Sequence, residues 1–364
     1  MRSKIITSIF CLLLALGTLS GIFVPDKYFS ESEKRTLTQR DAISITDFPS
    51  GKMGTAIEKY LADQFPLRDG WITAKTLTER LSGKTDISGV YFGRDGYLID
   101  AFTSYDKAQL VANLQALKKL SGRIDVPMQV MLVPTAAQML SFRLPAYAPN
   151  VDQKAILELA RAQGLETVNV FDILSKHNGE YIYYKTDHHF TSLGAYYCYC
   201  AWRQSQGKAA EPLSAWQSQT LCDDFRGTTY NKVSYPFAPY DTVTAYYKTL
   251  RHTVSYNGGD YVTGSIYERK YLSGKDQYAT FLNSNQSTTV VTGSGEGRLL
   301  IIKDSYANCF AQFVVDDYAE THLIDLRFFK GSVTDYIKDN GITQILVLYN
   351  IPNFAADTAI EKAV

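Results

Sequence analysis

The chain has 364 residues, is 45% hydrophobic, and balances 37 Lys and Arg against 37 Asp and Glu, for a formal net charge of zero. Length and apolar content suffice for one large α/β domain with insertions, or for two domains. The even charge offers no basic face for nucleic acid, and five cysteines without a CxxC pair offer no zinc knuckle.

Residues 5–24, IITSIFCLLLALGTLSGIFV, form an uncharged, mostly apolar run behind Arg2 and Lys4. At about 1.5 Å per residue, a helix of that length just crosses a hydrocarbon core of about 30 Å. Residues 1–25 are therefore expected to be a signal anchor, an N-terminal membrane helix. With Ala15 and Gly17 as a small-x-small site, they would instead be a cleaved signal peptide. Either way the rest of the chain is expected outside the cytoplasm, although Lys27, Lys34 and Arg35 weaken the orientation signal. Residues 26–88 are polar and helix-prone. Ile57, Tyr60, Leu61 and Phe65 recur at helical spacing until Pro66 interrupts them, which predicts a helical neck.

The remainder, 89–364, opens with GVYFGRDGYLID, where apolar residues alternate around Arg94-Asp95-Gly96 as in a hairpin. Leu110, Val111, Leu114, Leu117 and Leu120 then share one helix face, and MQVMLVP follows as a buried strand. The helix pattern KAILELARAQG leads into the apolar run TVNVFDI. LGAYYCYCAWRQSQG, RLLIIKDS, THLIDL and QILVLYN continue the alternation. Such an order predicts an α/β fold with a parallel sheet covered by helices on both faces. Between about 211 and 297, Tyr, Thr, Ser and Gly in short alternations predict a β-rich insertion. Its tyrosines suit either stacking on sugar rings or plain strand propensity. Cys198 or Cys200 could pair with Cys222, or all could be buried free thiols.

Two stretches carry chemistry. In RLLIIKDSYANCF an apolar strand runs straight to Ser305 and into a helix, which puts a hydroxyl at the ligand-binding end of a parallel sheet. In KTDHHFTSLGAYY, Asp187 and His189 sit two apart just before a helix. A serine nucleophile needs a base, and the base needs an acid to fix its tautomer. His188 is expected to point elsewhere, because adjacent histidine side chains diverge, and this argues against a metal site. The N–H groups of Ser305 and Tyr306 are the first candidates for an oxyanion hole. Arg327 and Asn350, each following a predicted strand at the same sheet edge, are candidates to complete it or to orient a sugar.

Taken together, TDHHFTSLGAYY, GTTYNKV, LLIIKDSYANCF, IDLRFFK and ILVLYN, with GRDGYLI and MLVPTAA, resemble the DHHW protein family. That family is related to the SGNH-hydrolase-like proteins that O-acetylate alginate in the bacterial envelope. The resemblance implies an SGNH-like fold and Asp187, His189 and Ser305 as a triad. It further implies no cofactor, a cell-surface polysaccharide as substrate, and a membrane-bound O-acyltransferase as partner. Phe190 stands where the family has Trp, and Lys303-Asp304 where SGNH hydrolases have Gly-Asp. The function implied is acyl transfer, with an O-acetylesterase of the same mechanism or a non-catalytic carbohydrate-binding or assembly protein as alternatives.

Overall fold

The computed structural model describes the chain apart from residues 1–3, 9, 13, 14, 16, 18–24, 31–34, 45, 47, 49, 249–250 and 364. Much of the expected anchor therefore lies outside the described residues. Among those described, no helix is long and apolar enough to cross a membrane. The chain divides into two compact units, Met1–Ser88 with Tyr230–Phe237, and Gly89–Thr229 with Ala238–Val364.

In the first unit, α1 (Lys52–Gln64) and α2 (Arg68–Leu81) are separated at Phe65-Pro66-Leu67. Pro66 has no N–H to continue the helical ladder. Along α2, the hydroxyls of Thr73 and Thr76 donate to the carbonyls of Ser234 and Val233 at 3.1 and 2.6 Å, which secures the 230–237 segment within this unit.

The second unit opens with the expected hairpin. β1 (Val90–Phe92) and β2 (Leu98–Asp100) pair antiparallel with Tyr91 opposite Ile99. Asp95 and Gly96 make the reversal at φ of 57° and 80°, the left-handed region that Gly occupies freely and Asp tolerates. α3 (Lys107–Ser121) starts where the Asp106 carboxylate accepts the N–H groups of Ala108 and Gln109 at 2.8 and 3.2 Å, and it buries Leu110, Leu114, Leu117 and Leu120.

The strands that follow are β3 (Met128–Val133), β4 (Gln217–Phe225), β5 (Asp241–Tyr247), β6 (Val254–Tyr256), β7 (Tyr261–Thr263), β8 (Thr288–Thr292), β9 (Arg298–Lys303), β10 (Glu320–Ile324) and β11 (Gln344–Asn350). Helices α4 (Gln153–Ala162), α5 (Phe171–Lys176), α6 (Ser192–Ser205), α7 (Tyr306–Val314), α8 (Val333–Asp339) and α9 (Ile351–Ala356) alternate with them. The main sheet has seven strands in the order β7-β6-β8-β10-β9-β11-β3.

This sheet corrects the expectation of parallel pairing throughout. β10, β9, β11 and β3 are parallel, whereas β8 runs antiparallel to β10, β6 to β8 and β7 to β6. The chemistry of the strands follows the division. RLLIIK is buried almost end to end, as a strand covered on both faces must be, while TTVVT alternates half-buried Thr288 and Val290 with buried Thr289 and Val291. The predicted insertion thus extends the sheet through β6, β7 and β8, while β4 and β5 form a separate antiparallel pair.

TVNVFDI is a second correction. It makes one parallel bridge, Thr167 to Val130, and turns into α5 at Phe171, whose N–H is capped by the Asn169 side chain at 3.2 Å. Cys198, Cys200, Cys222 and Cys309 are free thiols, so the disulfide alternative is not formed.

Candidate active site

β9 is flanked by β10 and β11, and its carboxyl end delivers Ser305 to the first turn of α7. A serine in this position ordinarily caps the helix with its hydroxyl, but Ser305 makes no such bond. Asp304 does that work: its Oδ1 accepts the Tyr306 N–H at 2.9 Å, while its Oδ2 accepts the Asn350 N–H and the Asn353 Nδ2–H, each at 2.9 Å. Burial raises the Asp304 pKa against these bonds. The hydroxyl of Ser305 is thereby left free for chemistry.

Asp187 and His189 come from a corner with its own scaffold. The chain folds back so that Thr191 N–H meets the Ile182 carbonyl at 3.0 Å and Tyr183 bridges Phe190. Between them, buried Asp241 gathers the N–H groups of Lys185 and Thr186, both at 2.8 Å, with the Thr186 hydroxyl at 2.6 Å and the Tyr181 hydroxyl. The Thr191 hydroxyl then accepts the Gly194 N–H at 3.3 Å and starts α6. Phe190, in the family's Trp position, is fully buried with its ring edge-on to Tyr306 at 4.7 Å.

His189 and Ser305 meet although 116 residues separate them. His189 Nε2 lies 2.7 Å from Ser305 Oγ, and His189 Nδ1 lies 2.5 Å from Asp187 Oδ1. Asp187 and His189 are only 2% and 4% exposed. Asp187 Oδ1 also accepts the His189 backbone N–H at 3.0 Å, and its Oδ2 accepts the N–H and hydroxyl of Thr228 at 2.7 and 3.0 Å.

Burial alone would raise the Asp187 pKa, but the two imidazoles and these donors outweigh it and hold the carboxyl below the usual range. Burial, and next the adjacent His188, lower the His189 pKa against the pull of Asp187. An ionised Asp187 accepting from Nδ1–H leaves a neutral His189 with its Nε2 lone pair facing the Ser305 hydroxyl. Tyr278 stacks on His189 at 3.7 Å and 10°, and its hydroxyl donates to the Ser305 carbonyl at 3.0 Å, so the imidazole plane is locked. Gly227 passes so close that a Cβ there would stand 2.1 Å from Asp187 Oδ2.

The other candidates are placed as follows. The Tyr306 N–H is occupied by Asp304, so it is not free for an oxyanion, and the Tyr306 hydroxyl donates to the His188 carbonyl. The Ser305 N–H has no acceptor among the described residues. Asn350 is the N-cap of α9, its Oδ1 accepting the Asn353 N–H at 2.8 Å. Arg327 forms a two-pronged pair with buried Asp325, Nε to Oδ1 at 2.8 Å and Nη2 to Oδ2 at 2.5 Å. A cavity of about 400 Å³ at these strand ends is lined by Asp304, Arg327, Asn353, Asp357 and Lys362. Lys303 is buried, 3.1 Å from Asn285 Oδ1 and 3.9 Å from Asp325, and burial lowers its pKa to about 8.

His188 departs from expectation. Its ring lies against that of His189, centroids 3.9 Å apart, and its Nδ1 is 2.5 Å from Thr228 Oγ1. The tight backbone reversal turns both side chains to one side. Asp187, His188 and His189 thus gather possible metal ligands within 4.8 Å. Both His189 nitrogens are already hydrogen-bonded, so a metal ligated by His189 would have to break its bond to either Asp187 or Ser305. Thr228, Tyr278, Asp241 and the capping role of Asp304 were missed in the sequence. Asp304, adjacent to Ser305 at a helix start, carried a local signal, and Thr228 lay in the GTTYNKV segment of the resemblance without a role assigned to it.

Comparison with known proteins gives a match to the family model described as DHHW protein over residues 93–324. No curated protein matches. Among solved structures, a DHHW family protein from Eubacterium siraeum shares 24% identity at a TM-score of 0.67, covering 76% of this chain and 95% of that one. Bacillus cereus PatB1 shares 21% at 0.62, covering 73% and 97%. These likenesses establish a common fold.

Proposed function

This chain belongs to the DHHW protein family, and from that premise and the bonded series Asp187–His189–Ser305 we propose an extracytoplasmic serine acyltransferase that O-acetylates a cell-surface polysaccharide. The observation that carries the reading is the 2.7 Å contact of His189 Nε2 with Ser305 Oγ, backed by a His189 tautomer that Asp187 dictates. The proposed location rests on the apolar run at residues 5–24. A membrane-bound O-acyltransferase is the proposed source of acetyl groups.

In the first half-reaction Ser305 Oγ attacks the acetyl carbonyl while its proton passes to His189 Nε2. The C–O bond to the donor breaks, and His189 returns that proton to the leaving oxygen. In the second, a sugar hydroxyl gives its proton to His189 Nε2 and attacks the acyl-enzyme. The ester to Ser305 breaks, and the proton returns to Oγ. Asp187 stays ionised and stabilises the imidazolium in both. The negative charge that develops on the carbonyl oxygen is met by the Ser305 N–H and the positive end of α7. Water in place of the sugar gives the esterase reaction.

The test is acetyl transfer from an activated ester to oligosaccharide acceptors by the full chain and by Ser305→Ala. Sugar ester formed only with intact Ser305 supports the proposal. Equal product with both, or none with either, contradicts it.

A further inference from the structure

Asp187 is gripped from two sides, and the triad accounts for one. Oδ1 takes both donors of His189, whereas Oδ2 takes the backbone N–H and the hydroxyl of Thr228. An ionised carboxylate can only accept, and a hydroxyl has a single hydrogen, so the Thr228 hydrogen points at Asp187. The Thr228 oxygen must then accept from its remaining neighbour, His188 Nδ1, at 2.5 Å. His188 therefore carries hydrogen on Nδ1 and keeps its lone pair on Nε2. In the opposite tautomer the Thr228 hydrogen would turn to His188, and Asp187 would lose its fourth donor.

We propose that His188 is a positioning residue for acyl transfer: its Nδ1–H fixes the Thr228 hydroxyl on Asp187, and Asp187 so fixed holds His189 against Ser305. The inference rests on the triad reading above. Besides Thr228, Asp187, His189 and the Tyr306 ring at 6.2 Å lie about the His188 ring. The His188 backbone is held separately, since its carbonyl accepts the Tyr306 hydroxyl. Side-chain variants therefore leave that anchor intact.

Asparagine and glutamine distinguish positioning from packing, because an Asn amide nitrogen can stand where Nδ1 stands and a Gln amide cannot. In the full chain, His188→Asn is expected to keep kcat for acetyl transfer within about threefold. His188→Gln is expected to lose about tenfold in kcat with KM unchanged, the effect of one hydrogen bond to a charged group. His188→Gln combined with Thr228→Val should lose no more than Thr228→Val alone, since both remove one arm.

A second readout needs no turnover. The hydrogen-bonded Nδ1 proton of His189, followed by NMR with labelled histidine, should keep its downfield position in His188→Asn and move upfield in His188→Gln. Indistinguishable Asn and Gln variants, or additive losses with Thr228→Val, would overturn the proposal. Absence of Ser305-dependent transfer in the wild type would instead sink the acyltransferase reading, and the NMR comparison then decides the role of His188 by itself.

Discussion

Gly227→Ala applies the sharpest available pressure to the acid of the site without touching any reacting atom. The added Cβ would lie 2.1 Å from Asp187 Oδ2, 2.2 Å from its Cβ and 2.5 Å from its Cγ. Non-bonded carbons settle at about 3.5–4.0 Å, so Asp187 and Gly227 must separate by at least about 1 Å. Asp187 cannot retreat freely, because it is 2% exposed and bonded to His189 and Thr228 through both oxygens. Overpacking of this kind lowers stability by about 1–3 kcal/mol, and a misplacement of about 1 Å lowers turnover roughly 100-fold. Steady-state kinetics on an acetyl ester, alongside thermal unfolding, should show kcat reduced by about that factor with KM little changed and a melting point lower by a few degrees. Gly179→Ala is the control, since nothing lies within 4 Å of its added Cβ. Wild-type kcat in Gly227→Ala, or an equal loss in Gly179→Ala, would show that contact with residue 227 does not set the position of Asp187.

Three further outcomes are expected. Because burial and then His188 lower the His189 pKa, and because the base must be neutral, kcat/KM should be lost only as pH falls through that lowered value. A pH profile should place the acid midpoint below the ordinary histidine value of about 6.5, and a midpoint at or above it would contradict the assignment. Asp304→Ala strands three donors and frees the Tyr306 N–H to compete for the Ser305 hydroxyl. Denaturant unfolding should record a loss of about 3 kcal/mol, with kcat falling beyond what the stability loss explains. Tyr278→Phe keeps the ring on His189 and removes only the bond to the Ser305 carbonyl, so its kcat should exceed that of Tyr278→Leu, which unstacks the imidazole. Equal rates for the two variants would remove stacking from the account.

The central strands were legible because MQVMLV, RLLIIK and QILVLYN are continuous apolar runs, and such runs bury on both faces wherever they lie in a sheet. Ser305 was legible for the same reason, as the hydroxyl two residues past the end of one of them, where a helix begins. Strand direction was not. Alternation in TTVVT specifies which residues face the core but not whether the neighbour runs parallel, so the antiparallel extension stayed hidden. TVNVFDI had strand composition, yet Asn169 capped a helix in the middle of it. His188 was misjudged because its direction is set by the reversal that Asp241 ties together from 55 residues away. Thr228 lies in GTTYNKV, which marked the family resemblance without revealing its bond to Asp187 41 residues away, and no local pattern announces Tyr278.

Acyl transfer at this site requires above all that Ser305 accept an acyl group. Intact-mass analysis of the full chain after mixing with an activated acetyl donor, followed by peptide mapping, measures that in one step. The expected result is a single acetyl on the Ser305 peptide, absent in Ser305→Ala, weak in His189→Ala and discharged by added sugar acceptor or water. A chain that stays unmodified, or one labelled equally without Ser305, would contradict it.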